Sequence, residues 1–199
     1  DMKTAGLLAH FPDGRRQPLL GSIPRETTGQ SKEAIETAGP GRTSYMAYDE
    51  AVTESACNFL AEWDRQSAGK PLALVVGYVL PHCPYICPPQ LFNDYYPRMS
   101  VPRLPAGYLD QLHPAQREDR QRRGFDELSD EQIRTARAAY YGLVEYHDRL
   151  CGRVFDALQR TRFADNTVVI YTSDHGDMAG EHRLWTKSLL YESSVGVPM

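Results

Sequence analysis

Residues 167–177 read TVVIYTSDHGD, a β-branched run that ends in two aspartates around a histidine and a glycine. Residues 167–172 are typical of a β-strand, because Val, Ile, Thr and Tyr side chains fit a pleated, half-buried surface. In an open α/β sheet, ligands bind beyond the carboxyl ends of the strands. The stretch therefore predicts an α/β fold and places Asp174 and His175 where a ligand would bind.

A second apolar run, residues 72–80 (LALVVGYVL), is typical of a strand buried on both faces of a parallel sheet. His82 follows this run, so it is predicted at the same edge of the sheet as Asp174. Before the run, residues 48–66 carry an apolar stripe at helical spacing, formed by Val52, Ala56, Phe59, Leu60 and Trp63.

A long helix is predicted between the two strands. Ser129 and Gln132 have the spacing of a capping box, in which each side chain bonds the other residue's backbone amide. An apolar stripe then continues to about residue 160, formed by Ile133, Ala136, Tyr140, Leu143, His147, Leu150, Val154 and Leu158. Helix, strand, loop, helix, strand is the order of an α/β fold with a sheet flanked by helices.

The remaining segments predict little regular structure. Residues 1–43 are rich in Gly, Pro, Ser and Thr and are predicted to be irregular. Residues 81–114 hold eight of the 14 prolines and are predicted to form a long ordered loop, since proline resists both helix and sheet. The highly charged tract 116–123 is predicted to be solvated.

Composition narrows the class of protein. The 199 residues suit one domain, with 41% hydrophobic residues and a net charge of −4. Nucleic acid is not expected as a partner, because the chain has no strongly basic field. No apolar run is long enough for a transmembrane helix, so no membrane partner is expected. Cys57, Cys83, Cys87 and Cys151 have neither disulfide-framework nor zinc-ribbon spacing.

Asp174 and His175 suggest part of a divalent metal site, since they offer a hard oxygen and a borderline nitrogen ligand side by side. Gly176 lets the backbone turn sharply behind them. The alternative is a plain strand-end turn in which Asp177 caps a following helix.

Two further residues suggest anion chemistry. Lys187, twelve residues beyond His175, could neutralise an anionic substrate or a departing oxyanion, or it could be a surface lysine. His82 lies between two prolines, and its near-neutral pKa suits a proton donor or an anion hydrogen bond. The alternative is a histidine packed in a proline-rich turn.

The run from Thr172 to Pro198 (TSDHGDMAGEHRLWTKSLLYESSVGVP) closely resembles the second half of the sulfatase catalytic domain, in the alkaline-phosphatase superfamily. Residues 80–85 (LPHCPY) resemble the family's PH-x-P-[YF] segment. The similarity covers about residues 45–199 and looks nearest to the choline-sulfatase-like branch. It implies that the predicted sheet is the central part of a sulfatase/alkaline-phosphatase-like sheet.

The resemblance also implies roles. Asp174 and His175 match the family's pair of metal ligands, Lys187 matches the lysine on the sulfate and its bridging oxygen, and His82 matches the histidine on the sulfate or leaving oxygen. The implied substrate is a small anionic sulfate ester. Calcium is the metal that the family implies, and the nitrogen ligand of His175 makes manganese credible.

Family nucleophiles lie in a C/S-x-P-x-R motif, whose Cys or Ser becomes formylglycine. None of the four cysteines here matches that motif. The resemblance therefore implies that residues 1–199 are a partial catalytic domain, with the formylglycine segment upstream of Asp1 and a C-terminal subdomain downstream. Such a chain is expected to be inactive by itself.

Two other functions remain open from the sequence. A phosphonate monoester or phosphodiester hydrolase of the same superfamily would also bind a tetrahedral anion. A non-catalytic α/β binding module would explain a chain without the nucleophile motif. A C/S-x-P-x-R motif in the coding sequence upstream of Asp1 would distinguish the enzyme from the module.

Overall fold

The computed structural model describes residues 8–10, 16–18, 32–67 and 69–199. Its strands are β1 (Leu8–His10), β2 (Arg16–Pro18), β3 (Gly39–Pro40) and β4 (Ile86–Cys87). Its α-helices are α1 (Lys32–Glu36), α2 (Ser44–Gln66), α3 (Pro89–Tyr95), α4 (Pro114–Arg123), α5 (Asp130–Gln159) and α6 (Glu192–Val195). Most of the predicted irregular region, residues 1–43, lies outside the described residues, and its described part holds β1, β2, α1 and β3.

Helix α5, 30 residues long, is the element against which most of the others pack. The predicted capping box is confirmed: Gln132 N donates to Ser129 Oγ at 3.2 Å, and Ser129 N donates to Gln132 Oε1 at 2.8 Å. The predicted apolar stripe is buried at its centre, where Ile133 and Leu143 are fully covered. Local sequence therefore sets both the start and the buried face of this helix.

Helix α2 packs beside α5. It begins after Thr43, whose Oγ1 accepts a hydrogen bond from Met46 N, and it includes the whole of the predicted 48–66 stripe. Met46 and Leu60 are buried, whereas Phe59 lies at the surface and stacks on Trp63. None of the described helices is both long and apolar enough to cross a membrane.

The proline-rich segment 81–114 is more regular than predicted. Residue Pro89 begins helix α3, because a residue in the first helical turn needs no backbone N–H and proline's fixed φ suits that position. Just before it, β4 pairs in parallel with β3, Gly39 opposite Ile86. Cys87 at the end of β4 lies so close to α5 that a Cβ on Gly142 would stand 2.6 Å from its Sγ.

The predicted central sheet does not form among the described residues. Residues 72–80 and 167–172 have no strand partner, and Val75, Val168 and Ile170 are 93%, 87% and 76% exposed. A strand's backbone groups must be paired by a neighbouring strand, and the described chain places none beside either run. Both runs nevertheless reach the same face of α5, where the His147 ring lies 4.9 Å from Tyr78 and 6.2 Å from Tyr171.

Candidate active site

The four predicted site residues line one cavity of about 580 Å³. His82 approaches it from the segment after residues 72–80, and Asp174 and His175 approach it from the end of residues 167–173. Lys187 approaches it from the far end of the segment 176–188, which we call the site loop. The structure thus brings together residues that are up to 105 positions apart in sequence.

His82 and Lys187 are in direct contact, with Lys187 Nζ 3.0 Å from His82 Nε2. The other ring nitrogen, Nδ1, lies 2.7 Å from the carbonyl oxygen of Cys83. Since a carbonyl can only accept, Nδ1 carries the proton and Nε2 accepts from the Lys187 ammonium. Burial, together with the charge of Lys187, lowers the pKa of His82, so this neutral form is favoured near pH 7.

Asp49 of helix α2 positions the segment that leads into His82. Its buried carboxylate accepts hydrogen bonds from the backbone of Val79, at 3.0 and 3.2 Å, and of Leu80, at 2.9 Å. Burial raises the pKa of Asp49 to about 6, although these hydrogen bonds favour its charged form. The Tyr45 and His82 rings pack edge-on, with their centroids 6.1 Å apart. His82 is therefore held through its backbone, its ring and its Nδ1 proton.

The residues at 174 and 175 fit a divalent cation in part. His175 Nδ1 donates to the Gly176 carbonyl at 2.7 Å, which leaves Nε2 as a free lone-pair donor, the arrangement usual in metal-binding histidines. That Nε2 lies 3.6 Å from Asp174 Oδ2, a separation compatible with two ligands of one ion. In the part of the chain that the structure describes, no group of three or more candidate metal ligands occurs.

The electrostatics of Asp174 also suit a cation. Burial alone would raise the pKa of this carboxyl, but the adjacent His175 and nearby hydrogen-bond donors hold it below its ordinary value. The side chain is 85% exposed and is therefore open to an incoming ion. Asp174 and His175 can supply an oxygen and a nitrogen to a six- to eight-coordinate cation, which would need further ligands from water or protein.

Asp177 is the site-loop residue that the sequence analysis did not assign to the site. Its Oδ1 accepts from Ala179 N at 2.8 Å and from Thr186 N at 3.1 Å, and its Oδ2 accepts from Tyr85 Oη at 2.6 Å. The helix cap considered for Asp177 is wrong, because the amides that it binds belong to the loop and no α-helix follows before α6. Burial raises the pKa of Asp177, whereas the three hydrogen bonds favour its charged form.

Gly176 permits a close backbone contact at the base of the site loop. Its N–H donates to the carbonyl of Ser194 in α6 at 2.8 Å. A Cβ at position 176 would lie 2.2 Å from the carbonyl oxygen of Ser193, far inside van der Waals contact. The sequence predicted glycine here for a sharp turn, but the φ of Gly176 is not in the left-handed region, and the cause that the structure shows is the close approach of α6.

Arginines from two helices fix the middle of the site loop. Arg137 of α5 donates to the Ala179 carbonyl at 2.7 Å, and Arg120 of α4 donates to the His182 carbonyl at 2.7 Å. Arg120 is only 2% exposed and Arg123 is also buried, so the prediction of a solvated tract at 116–123 is wrong at these two positions. The burial of Arg120 is possible because Asp126 and the His182 carbonyl accept hydrogen bonds from its guanidinium.

Three of the four cysteines lack the environment of a nucleophile. Cys83 and Cys87 are buried, and burial raises the pKa of each thiol to about 12. Cys151 is also buried, and burial raises its pKa as well. Because the thiolate is the reactive form, these side chains are unreactive near neutral pH. Each of the four cysteines, all of which lie in the described ranges, is a thiol rather than half of a disulfide.

Comparison with known proteins decides the family. The profile of the sulfatase family matches residues 17–199. The chain belongs to the sulfatase family. This confirms the family predicted from residues 172–198, and a sulfatase domain implies the α/β class.

Curated sulfatases match the chain over most of its length. A choline-sulfatase of Rhizobium meliloti is 34% identical over 167 residues, which cover 79% of the chain and 32% of that protein. An arylsulfatase of Clostridium perfringens is 34% identical over 74% of the chain and 30% of its own length. An iduronate 2-sulfatase of Mus musculus is 31% identical over 76% of the chain and 29% of its own length. The chain thus spans about a third of the length of these relatives.

Proposed function

We propose that the chain contributes part of the active site of a sulfuric ester hydrolase that acts on a small sulfate monoester. The observation that carries the proposal is the Lys187–His82 contact in a cavity that Asp174 and His175 also line. The Lys187–His82 pair and the candidate metal ligands Asp174 and His175 surround one cavity. That arrangement suits a tetrahedral anion with a departing oxygen. Membership of the sulfatase family favours sulfate as that anion.

In this proposal Lys187 stabilises charge. Its ammonium has three N–H donors, and the structure gives one of them to His82 Nε2. The others are available to a sulfate oxygen and to the oxygen that bridges sulfur and the leaving alcohol. Negative charge grows on that bridging oxygen as the ester bond breaks, so a donor placed there is worth most in the transition state.

In this proposal His82 orients Lys187 and accepts or donates a proton at Nε2. In the structure, Nε2 accepts from Lys187 because Nδ1 is committed to the Cys83 carbonyl. A bound sulfate ester brings negative charge, which offsets that of Lys187 and raises the proton affinity of Nε2. Nε2 would then take up a proton from solvent, release the hydrogen bond from Lys187 and present that proton to the leaving oxygen. His82 is therefore proposed as the hydrogen-bond or proton donor to the leaving alcohol.

Asp174 and His175 are proposed to hold a divalent metal, with calcium favoured and manganese possible through the His175 nitrogen. When bound, such an ion polarises the sulfate and neutralises part of its charge. The proposed nucleophile is a formylglycine outside residues 1–199, and the chain is proposed to be the middle portion of the catalytic domain. Two supports are the one-third coverage of the relatives and the unreactive thiols.

An activity assay of the purified full-length protein tests this proposal. The substrates are an aryl sulfate, an aryl phosphate and an aryl phosphonate at matched concentration. The sulfate should be hydrolysed with the highest kcat/KM, a chelator should remove the activity, and calcium or manganese should restore it. Faster turnover of the phosphonate or phosphate would contradict the proposed sulfatase activity and favour a phosphonate monoester or phosphodiester hydrolase. Residues 1–199 alone should turn over none of the three, because none of their cysteines lies in the C/S-x-P-x-R motif that would supply the nucleophile.

A further inference from the structure

Asp177 links the segment that carries His82 to the site loop that carries Lys187. We assign it no part in the chemical step itself. Two of its hydrogen bonds stay within the site loop, to Ala179 N and Thr186 N. The third crosses to Tyr85, 92 positions away in sequence. Thr186 immediately precedes Lys187, and Tyr85 follows His82 by three residues. One carboxylate therefore bonds to both segments that carry the basic pair.

The lysine side of this link is conformationally demanding. Thr186 has φ +66°, in the left-handed region that a β-branched residue rarely adopts. Its peptide groups are held on both sides, since its N–H donates to Asp177 and its carbonyl accepts from Met178 N at 2.9 Å. Because such a conformation persists only where the surroundings enforce it, the Asp177 hydrogen bond helps to set the direction in which Lys187 leaves the backbone.

The histidine side of the link is rigid. The Tyr85 ring is fully buried, 5.5 Å from the Trp185 ring and 5.7 Å from the Tyr140 ring. Burial, reinforced by the charge of Asp177, raises the pKa of Tyr85 far above its usual range, so the phenol remains a hydrogen-bond donor. Asp177 thus connects the segment that carries Lys187 to a buried point of the core, three residues after His82.

We propose that Asp177 is a positioning residue that sets the register between Lys187 and His82, by which we mean the relative position of the two side chains. In that position the lysine ammonium can contact both the imidazole and the substrate oxygen. The proposal rests on the proposed function of this pair, and it assigns to Asp177 no contact with substrate. A misplacement of about 1 Å in a catalytic group can cost about a hundredfold in rate. The competing explanation is that Asp177 only stabilises the fold.

Kinetics of the full-length protein separate these explanations. Asp177→Ala should lower kcat for an aryl sulfate about a hundredfold at temperatures well below its Tm, with a smaller change in KM. Asp177→Asn should recover at least about tenfold of that loss, because its amide oxygen can still accept from Ala179 and Thr186. Tyr85→Phe, which removes one of the three hydrogen bonds, should lose less than Asp177→Ala. Asp130→Ala removes the carboxylate that accepts from Arg183 of the same loop at 3.0 Å, and it serves as the matched control with unchanged kcat expected.

A crystal structure of Asp177→Ala, or of Asp177→Asn if the alanine variant does not fold, tests the register directly. The separation of Lys187 Nζ and His82 Nε2 should exceed hydrogen-bond distance in the alanine variant and stay near 3.0 Å in the asparagine variant. A pair left intact without the carboxylate, or kcat equal to wild type in Asp177→Ala, overturns the positioning role. Absence of sulfate turnover in the wild-type protein would instead refute the proposed function, and the structural result would still decide the register.

Discussion

The site loop, residues 176–188, and the run that precedes it, residues 167–172, are neighbours in the chain, but the structure holds them very differently. In the site loop Met178 and Trp185 are fully buried, and backbone carbonyls accept hydrogen bonds from Arg120 and Arg137. In the preceding run the apolar side chains are exposed, and no strand of the described chain pairs with the backbone. The site loop is irregular, yet its side chains and backbone are held by the rest of the described chain, whereas the apolar side chains of residues 167–172 are largely exposed.

The difference shows what each kind of structure requires. The site loop is held by individual side chains that reach it from α4, α5 and the Tyr85 segment, all of which lie in the described chain. A strand needs a continuous partner along its backbone, and nothing in the described ranges supplies one. The local chemistry of the site can therefore be in place where its supporting sheet is not.

The largest expected effect is on the apolar anchor of the site loop. Trp185→Ala should lower the free energy of unfolding by about 3–5 kcal/mol, because it empties a fully buried position beside Tyr85. Denaturant unfolding of the purified chain measures this loss. Trp63→Ala, at a partly exposed tryptophan of α2, is the matched control and should cost clearly less. Equal losses would mean that the site loop is not anchored by Trp185.

The second effect is a pH dependence at Asp49. The pKa of Asp49 is about 6 in the folded chain and 3.8 in the unfolded chain, so the folded state binds this proton more tightly. The stabilisation is fully present below pH 3.8 and is lost as pH rises through about 6. Relative to Asp49→Asn, the wild-type chain should lose about 3 kcal/mol of unfolding free energy across that window, as expected for a shift of about two units.

Urea titrations of both chains at a series of pH values between 3 and 7 measure this difference. The difference between their free energies of unfolding removes the contributions of the other carboxylates, which titrate in both chains. The buried environment assigned to Asp49 would be contradicted if the stability of the wild-type chain relative to Asp49→Asn did not change with pH, or if it increased as pH rises.

The smallest effect belongs to the unpaired run. Ile170→Val should change the free energy of unfolding of the chain by less than about 0.5 kcal/mol, because Ile170 is 76% exposed. The same substitution at the fully buried Ile133 should cost about 0.5–1.5 kcal/mol. Thermal unfolding of the two variants side by side gives the comparison. Losses of equal size would show that residues 167–172 are packed.

The parts of the fold that sequence could predict are those with local causes. The capping box at Ser129 and the apolar stripe of α5 depend on residues three or four apart, so their spacing is visible in the chain. The two apolar runs carry an equally clear signal, but a strand is completed by partners that no local pattern reveals. Burial of Arg120 was missed because its partner, the His182 carbonyl, is 62 residues away.

The candidate site divides in the same way. His82, Asp174, His175 and Lys187 were predicted from their places after apolar runs and from the family resemblance, and they line one cavity. Their catalytic roles stay predictions. Asp177 was next to the predicted residues, and an acidic residue two positions beyond a candidate ligand is a signal that merited attention. Its partner Tyr85 gave none, because the contact exists only after folding.

The central claim is that Lys187 and His82 act as one unit on the departing oxygen of a sulfate ester. The most direct test is a double-mutant cycle on kcat in the full-length protein, with Lys187→Ala, His82→Ala and the pair together. We predict that Lys187→Ala lowers kcat by about 10²–10³ with little change in Tm, and that the double variant is much less impaired than the product of the single effects. The exposed Lys70→Ala is the control and should retain full activity. Turnover near wild type in Lys187→Ala, or independent effects that multiply in the double variant, would contradict the account.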